Sequence, residues 1–393
     1  MGIVPVGPAS PPCGSSTRIS GEPVMGGTQA VISRAALRNN LGVIRRTIPP
    51  TTRVMGVVKA NCYGHSTPIC VPVLRDEGID LFGVANVAEG EQLRQSGIDE
   101  TIVVLGPPIP GMMHAYGQHR LEAFVSNARM AAQLAESTPV GASVNVHLFV
   151  DTGMARNGAR PDDAVELLRF INGLPQLTIV GIASHFATSD EPENTFTRQQ
   201  LGLFDSTLRR ATDAGFRFRD VHMANSGGIF NLPDSHYSVV RPGLSLYGYH
   251  PTESRQASSG LIPVMELRTH VANVTRFPAG VSVSYGRRYF TQQETEIATL
   301  PIGYGDGLMR TLTNKLNVLI AGTSFPVVGT ICMDEVMIDL GLSSGVQPGE
   351  KAVLIGTSGE RQIDAYQLAN TVGTIPYEIC TNISARVPRI PAD

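Results

Sequence analysis

Short apolar, mostly β-branched runs recur from residue 53 to residue 240: Arg53–Val58, Leu81–Ala85, Thr101–Leu105, Glu122–Val125, Val144–Val150, Thr178–Ser184, Asp220–His222 and Ser238–Val240. Between them the apolar positions fall at helical spacing, as in Ala35–Arg46, Val87–Ser96, Asp162–Asn172 and Thr197–Ala214. A strand period alternating with a helix period predicts parallel pairing through crossover helices. Eight such units over roughly 230 residues predict a (β/α)8 TIM-type barrel, with an open doubly wound sheet as the alternative.

The pattern changes at the polar loop Glu253–Gly260. Beyond it, alternating runs follow one another without intervening helices: Glu266–Thr275, Thr295–Leu300, Leu316–Ile320, Val336–Leu340 and Ala352–Ile355, separated by Gly and Pro turns. Two helical stretches, Asp364–Gly373 and Pro376–Ser384, close the chain. The expected organisation is a flexible Pro/Gly/Ser-rich extension over 1–27, a barrel over 28–260 and a mainly β domain over 261–393.

Composition narrows the function. The 393 residues are 42% hydrophobic and 17% charged, with a formal net charge of −3. Such a chain buries a large core and has no basic excess for phosphate backbones or anionic membranes, so no nucleic-acid and no membrane partner is expected. No apolar run reaches the ~18 residues of a bilayer span and no basic, apolar leader is present, which predicts a soluble, cytoplasmic protein. The five cysteines, Cys13, Cys62, Cys70, Cys332 and Cys380, show neither a disulfide framework nor zinc spacing, and no metal is expected. Of 31 basic residues only Lys59, Lys315 and Lys351 are lysine. Arginine stays protonated and cannot serve as a neutral amine, so a lysine kept in so arginine-biased a chain stands out.

In a barrel, reactive groups sit on the loops that follow the strands. Lys59 follows the first candidate strand, Arg156 the fifth, His185 the sixth, Asn225 and Ser226 the seventh and Arg241 the eighth, all at one end. A strand-end lysine ordinarily snorkels to solvent; a desolvated one loses charge readily and suits imine formation. Asn225–Gly228 and Arg241–Leu244 offer hydroxyl, backbone N–H and close backbone approach, the needs of a small phosphate, although NSGG also serves as a plain turn. No nucleotide-phosphate glycine motif is present. A reactive lysine, a phosphate cup and a spare arginine on one rim point to pyridoxal 5′-phosphate. His185 suits stacking on an aromatic cofactor or simple packing; Tyr285 and Tyr304 read as turn residues or as proton carriers.

Nine segments in order, VVKANCYGHS, DTGMARNG, SHFATSDEP, HMANSGG, VRPGLSLYG, VSYG, PIGYGDG, VGTICMDEVMIDL and PYEICTNISARVPR, resemble those of the pyridoxal-phosphate-dependent alanine racemase family over residues 28–389. The resemblance implies a homodimer with shared active sites that interconverts L- and D-alanine by two-base proton transfer, supplying D-alanine for peptidoglycan. It implies that Lys59 holds the cofactor and, with Tyr285 of the partner chain, moves the proton. It places phosphate contacts on Tyr63, Ser226, Gly243, Leu244 and Tyr377, the ring-stacking histidine at His185 and the pyridine-nitrogen contact at Arg241. Arg156 would meet the cofactor oxygen and the substrate carboxylate, with Met333 of the partner beside it. A racemase of broader substrate range is the alternative, followed by a decarboxylase of similar barrel fold.

One departure stands out. Many members carry a modified lysine two residues before DTGM that holds the arginine; here that position is Phe149. The expectation is that a bound anion or a nearby side-chain acceptor takes its place beside Arg156. Ser66 and Gly305 are smaller departures, at turns.

Overall fold

The computed structural model describes residues 27–393; residues 1–26, including most of the expected extension and Cys13, lie outside the described residues. The eight expected parallel strands are present within a residue or two, the first of them as two short segments, Arg53–Val54 and Gly56–Val57. The sheet order runs Arg53–Val54, Val239–Val240, Asp220–His222, Leu177–Ala183, Val144–Phe149, Leu121–Val125, Thr101–Val104, Leu81–Val84, Gly56–Val57. Its two ends are thus halves of one stretch interrupted at Met55, whose N–H donates to Val240 O at 2.8 Å, and the barrel closes. The open-sheet alternative falls away.

Inside the barrel, Met55, Leu81, Val103, Phe124, Phe149, Ala183 and Val239 form a buried cluster. Helices such as Arg34–Thr47, capped by Ser33 Oγ accepting from Ala36 N, turn their apolar stripes onto the outer face.

The second sheet is antiparallel apart from one pair, with the order Asn273–Phe277, Thr295–Leu300, Val336–Gly341, Thr323–Val328, Asn317–Ile320, Lys351–Ser358, Met265–His270, Gln29–Ser33, Arg389–Ala392. Two details differ from the sequence expectation. Gln29–Ser33 belongs to this sheet, pairing with Met265–His270 and Arg389–Ala392, so this segment lies in the β domain although it precedes the barrel strands in sequence. The run 266–275 is two strands: Val271 N donates to Glu350 O and Ala272 N to Thr299 O, handing the chain from one strand neighbour to another. A period-2 pattern carries no mark of such a change of partner.

Candidate active site

The residues after the barrel strands meet over one cavity of about 450 Å³ at the C-terminal end of the barrel, bordered by Lys59, Tyr63, Arg156, His185, Arg241 and Tyr377. Asn225, Ser226, Gly243 and Leu244 line it as well. All the barrel positions expected of a site therefore converge, together with Tyr377 from the second domain.

Lys59 opens a turn of unusual backbone. Ala60, Asn61, Cys62 and Tyr63 all have φ between 52° and 57°, a left-handed turn of non-glycine residues. Such geometry costs roughly 1–2 kcal/mol per residue, so the surroundings must impose it. Glu89 accepts from Ala60 N at 2.8 Å and from Ala85 N at 2.7 Å, and Asn61 Oδ1 accepts from Thr67 N at 2.7 Å. Gly64 ends the turn at φ 84°, where a Cβ would collide with Cys380 O in the helix Pro376–Asn382. That close approach brings Tyr377 of the same helix to the cavity.

Burial, then the Arg156 charge, pull the Lys59 ammonium below the ordinary lysine value against the opposing pull of Glu89. The amine is thereby biased towards its nucleophilic form.

Arg241 is buried, with 4% of its surface exposed, and spreads its guanidinium over four acceptors: His222 Nδ1 at 3.1 Å, His185 Nδ1 at 3.0 Å, Ser184 O at 2.7 Å and Met223 O at 3.1 Å. Burial and the Arg156 charge lower it to about 9, still a cation at neutral pH. Burial and Arg241 drive both histidines well below the usual imidazole range, so both rings are neutral and accept at Nδ1.

The cup on the other side is narrow. Ser226 Oγ accepts from Gly243 N at 3.1 Å and Ser245 N at 3.2 Å. At Gly243 the space for a Cβ is already taken by the Tyr63 hydroxyl. Tyr63 and Tyr377 face each other at 5.8 Å between centroids; burial raises both phenols, Tyr377 to about 12, so both remain proton donors. Asn225 uses its side chain locally, accepting from Gly228 N at 3.0 Å and from Ser189 Oγ at 2.7 Å.

Tyr285 and Met333 do not border the cavity of their own chain. They stand out from the β domain, 73% and 51% exposed. Tyr285 sits between the paired strands Ser282–Val283 and Tyr289–Phe290, and its carbonyl accepts from Thr330 Oγ1 at 2.7 Å.

The expected protein acceptor for Arg156 is absent: among the described residues its side chain has no hydrogen bond or ion pair. The acidic group nearest in sequence, Asp151, spends Oδ1 on the backbone N–H groups of Gly153, Met154 and Ala155. Phe149 packs flat against Phe124, giving the cavity an apolar floor.

Sequence reasoning missed Glu89, although Asn86 as helix cap with Glu three residues later is a capping-box spacing that marks it. It also missed His147 and His222 inside the barrel. Among the described residues no helix is long and apolar enough to cross a membrane.

Comparison with known proteins agrees with this geometry. The family model "Alanine racemase, N-terminal domain" matches residues 32–251 and "Alanine racemase, C-terminal domain" residues 264–391. An alanine racemase of Chlorobaculum tepidum is 41% identical over 369 residues, covering 92% of this chain and 95% of the relative. One from Geobacter sulfurreducens is 38% identical over 368 residues, covering 92% and 96%. Among solved structures, the Bacillus anthracis alanine racemase with bound L-Ala-P superposes with a TM-score of 0.89 at 32% identity, covering 95% of this chain and 96% of that one. The alanine racemase of D-cycloserine-producing Streptomyces lavendulae gives 0.88 at 34% identity, covering 94% and 97%. With both domains matched in order and its lysine, arginines and Ser–Gly cup gathered at one barrel mouth, the chain belongs to the alanine racemase family.

Proposed function

We propose that the chain is an isomerase that interconverts L- and D-alanine in the cytoplasm, with pyridoxal 5′-phosphate as cofactor and with active sites shared between two copies. The observation that carries this is the convergence, over one cavity, of a lysine with lowered ammonium pKa and two arginines. A cofactor with an aldehyde and a phosphate fits these residues: an amine able to lose its proton, and a cup where Gly243 leaves no space for a Cβ beneath the Tyr63 hydroxyl. Ser226, Gly243, Leu244, Tyr63 and Tyr377 would hold the phosphate, with Asn225 shaping that loop. His185 would pack on the ring, and Arg241 would donate to the ring nitrogen.

When bound, the cofactor supplies a covalent link to the substrate amine and a conjugated system that spreads charge left at Cα. The chain's own groups do the rest. Lys59 Nζ takes or returns the Cα proton on one face, and the Tyr285 hydroxyl of a second copy does so on the other; whichever acts first sets the direction. Arg156, which has no ion-pair partner among the described residues, takes the substrate carboxylate, with Met333 of the second copy beside it. The exposure of Tyr285 and Met333 in the single chain supports their reaching another copy's cavity. The free cysteines Cys62, Cys70, Cys332 and Cys380 support a reducing compartment, and the D-alanine made there would supply peptidoglycan.

The test is to incubate the protein with each enantiomer of alanine, then of serine and lysine, while following optical activity and the imine absorbance band. Loss of optical activity with alanine and an imine band are expected in the wild-type protein; Lys59→Ala should keep the optical activity and lack the band. An imine band retained in Lys59→Ala would remove the assignment of Lys59.

A further inference from the structure

Below Arg241 a line of polar side chains runs through the barrel interior, where such folds ordinarily pack apolar layers. His222 Nε2 lies 3.0 Å from His147 Nδ1, and His147 Nε2 lies 2.8 Å from Glu122 Oε2. Glu122 belongs to the strand Leu121–Val125 and lies towards its N-terminal end, opposite the cavity. There Arg219 Nη2 donates to both its oxygens, at 3.0 and 2.9 Å, and Asn145 Nδ2 to Oε1 at 2.9 Å. Both imidazoles are fully buried and Glu122 nearly so. The line is built into the backbone: a register shift between Val146 and His147 sets His147 opposite Gly181, and a Cβ at Gly181 would collide with His147 Nδ1.

The two ends of this line decide its polarity. Arginine only donates and an ionised carboxylate only accepts. His222 must accept from Arg241 at Nδ1, so its proton sits on Nε2 and points at His147. His147 must then accept at Nδ1 and carry its proton on Nε2, towards Glu122. Arg219 donates to both Glu122 oxygens from the far side, and Oε2 also faces His147 Nε2. The reversed line would set an N–H of His222 against an N–H of Arg241. Glu122, His147 and Asp220 also bring their ligand atoms within 4.8 Å of one another, but Arg219 binds both carboxylates, at 2.9 and 2.6 Å, and supplies the cation.

We propose that Glu122 is a positioning residue for Arg241: from the far end of the barrel, through His147 and His222, it fixes which ring nitrogens carry protons and so holds the guanidinium in one donor arrangement. The inference rests on the assignment of Arg241 to the cofactor's ring nitrogen.

Nitrogen-15 NMR of histidine side chains, on purified protein with and without pyridoxal 5′-phosphate, reads the line directly. In the wild-type protein, His147 and His222 should both be neutral with the proton on Nε2; a cationic ring or a proton on Nδ1 at either would overturn the proposal whether or not any variant folds. Glu122→Leu should lose the single tautomer at both rings and lower kcat about tenfold with KM within about twofold, the size of one hydrogen bond to a charged group. Glu122→Gln, which keeps an acceptor oxygen, should restore both. An unchanged tautomer, an unchanged kcat or no rescue by glutamine refutes the role. The assay of Lys59→Ala judges the proposed function separately: if the imine survives there, that reading fails while the tautomers still report on the line.

Discussion

The ring of Phe149 lies on that of Phe124 with 4.7 Å between centroids and 15° between planes, and both rings line the cavity that Arg156 borders. Stacking of this kind is an apolar solution at the position where the family resemblance led to the expectation of a charged group holding the arginine. Phe149 is buried in the barrel's inner cluster, so its truncation leaves a cavity. Phe149→Ala should lower unfolding stability by about 3 kcal/mol, measured by urea unfolding. A loss under about 1 kcal/mol would mean the pair contributes little packing.

Arg156 itself should behave in the opposite way. It has no protein partner to lose among the described residues, so Arg156→Ala should leave the melting temperature nearly unchanged while raising KM for alanine by about tenfold or more, the scale of one charged hydrogen bond. A large fall in melting temperature would show a structural anchor that the fold does not contain.

Neighbouring charge makes a signed prediction for Lys59. Arg156 is the second cause of the lowered ammonium, after burial. In protein free of cofactor, the rate of Lys59 acylation should rise with pH around a midpoint below the ordinary value of 10.5, and Arg156→Ala should move that midpoint upward, because removing a cation favours the protonated amine. A midpoint that stays put or moves down would separate the two residues.

The barrel, its strand positions and the strand-end groups Lys59, Arg156, His185, Asn225, Ser226 and Arg241 were legible in the sequence for a physical reason: strands buried on both faces read as apolar runs, and the residues after each run land on the same rim. Tyr63 and Tyr377 came only with the family resemblance. The groups that were not legible act across sequence distance. Glu89 pins the Lys59 turn from the helix Val87–Gln95, beyond the helix Thr67–Asp76 and the strand Leu81–Val84. Gln29–Ser33 reads as a strand of no particular sheet until its partners, more than two hundred residues away, are known. Glu122 and Phe124, and likewise His147 and Phe149, share a face by period two, yet nothing local says that this face points into a closed barrel.

Gly243 tests the phosphate cup. Gly243→Ala places a methyl where the Tyr63 hydroxyl now stands, so cofactor affinity measured by equilibrium titration should fall by roughly tenfold or more. Removing that hydroxyl in the double variant Gly243→Ala/Tyr63→Phe should recover part of the loss; a double variant no better than the sum of the singles would place the clash elsewhere.

On the proposed assignment to the cofactor's ring nitrogen, Arg241 as a cationic donor should leave that nitrogen unprotonated and the ring a weaker electron sink than a carboxylic acid partner would. Arg241→Glu should therefore increase transamination, read as pyridoxamine phosphate formed per alanine turned over. An unchanged yield in that variant removes this account of why an arginine, held by two neutral histidines, occupies the position.

Whether Tyr285 serves its own chain or another is decided by mixing two inactive proteins. Lys59→Ala lacks the amine and Tyr285→Phe lacks the phenol. If each cavity takes its phenol from the second copy, a hybrid dimer has one site with both defects and one with neither. Random re-association gives half hybrids with one working site of two, so about a quarter of wild-type activity should return on mixing, after dissociation and reassembly. If Tyr285 folded back onto its own chain's cavity, every site in every mixture would lack one group and no activity would return. The 73% exposure of Tyr285, away from the cavity lined by Lys59, favours the first outcome.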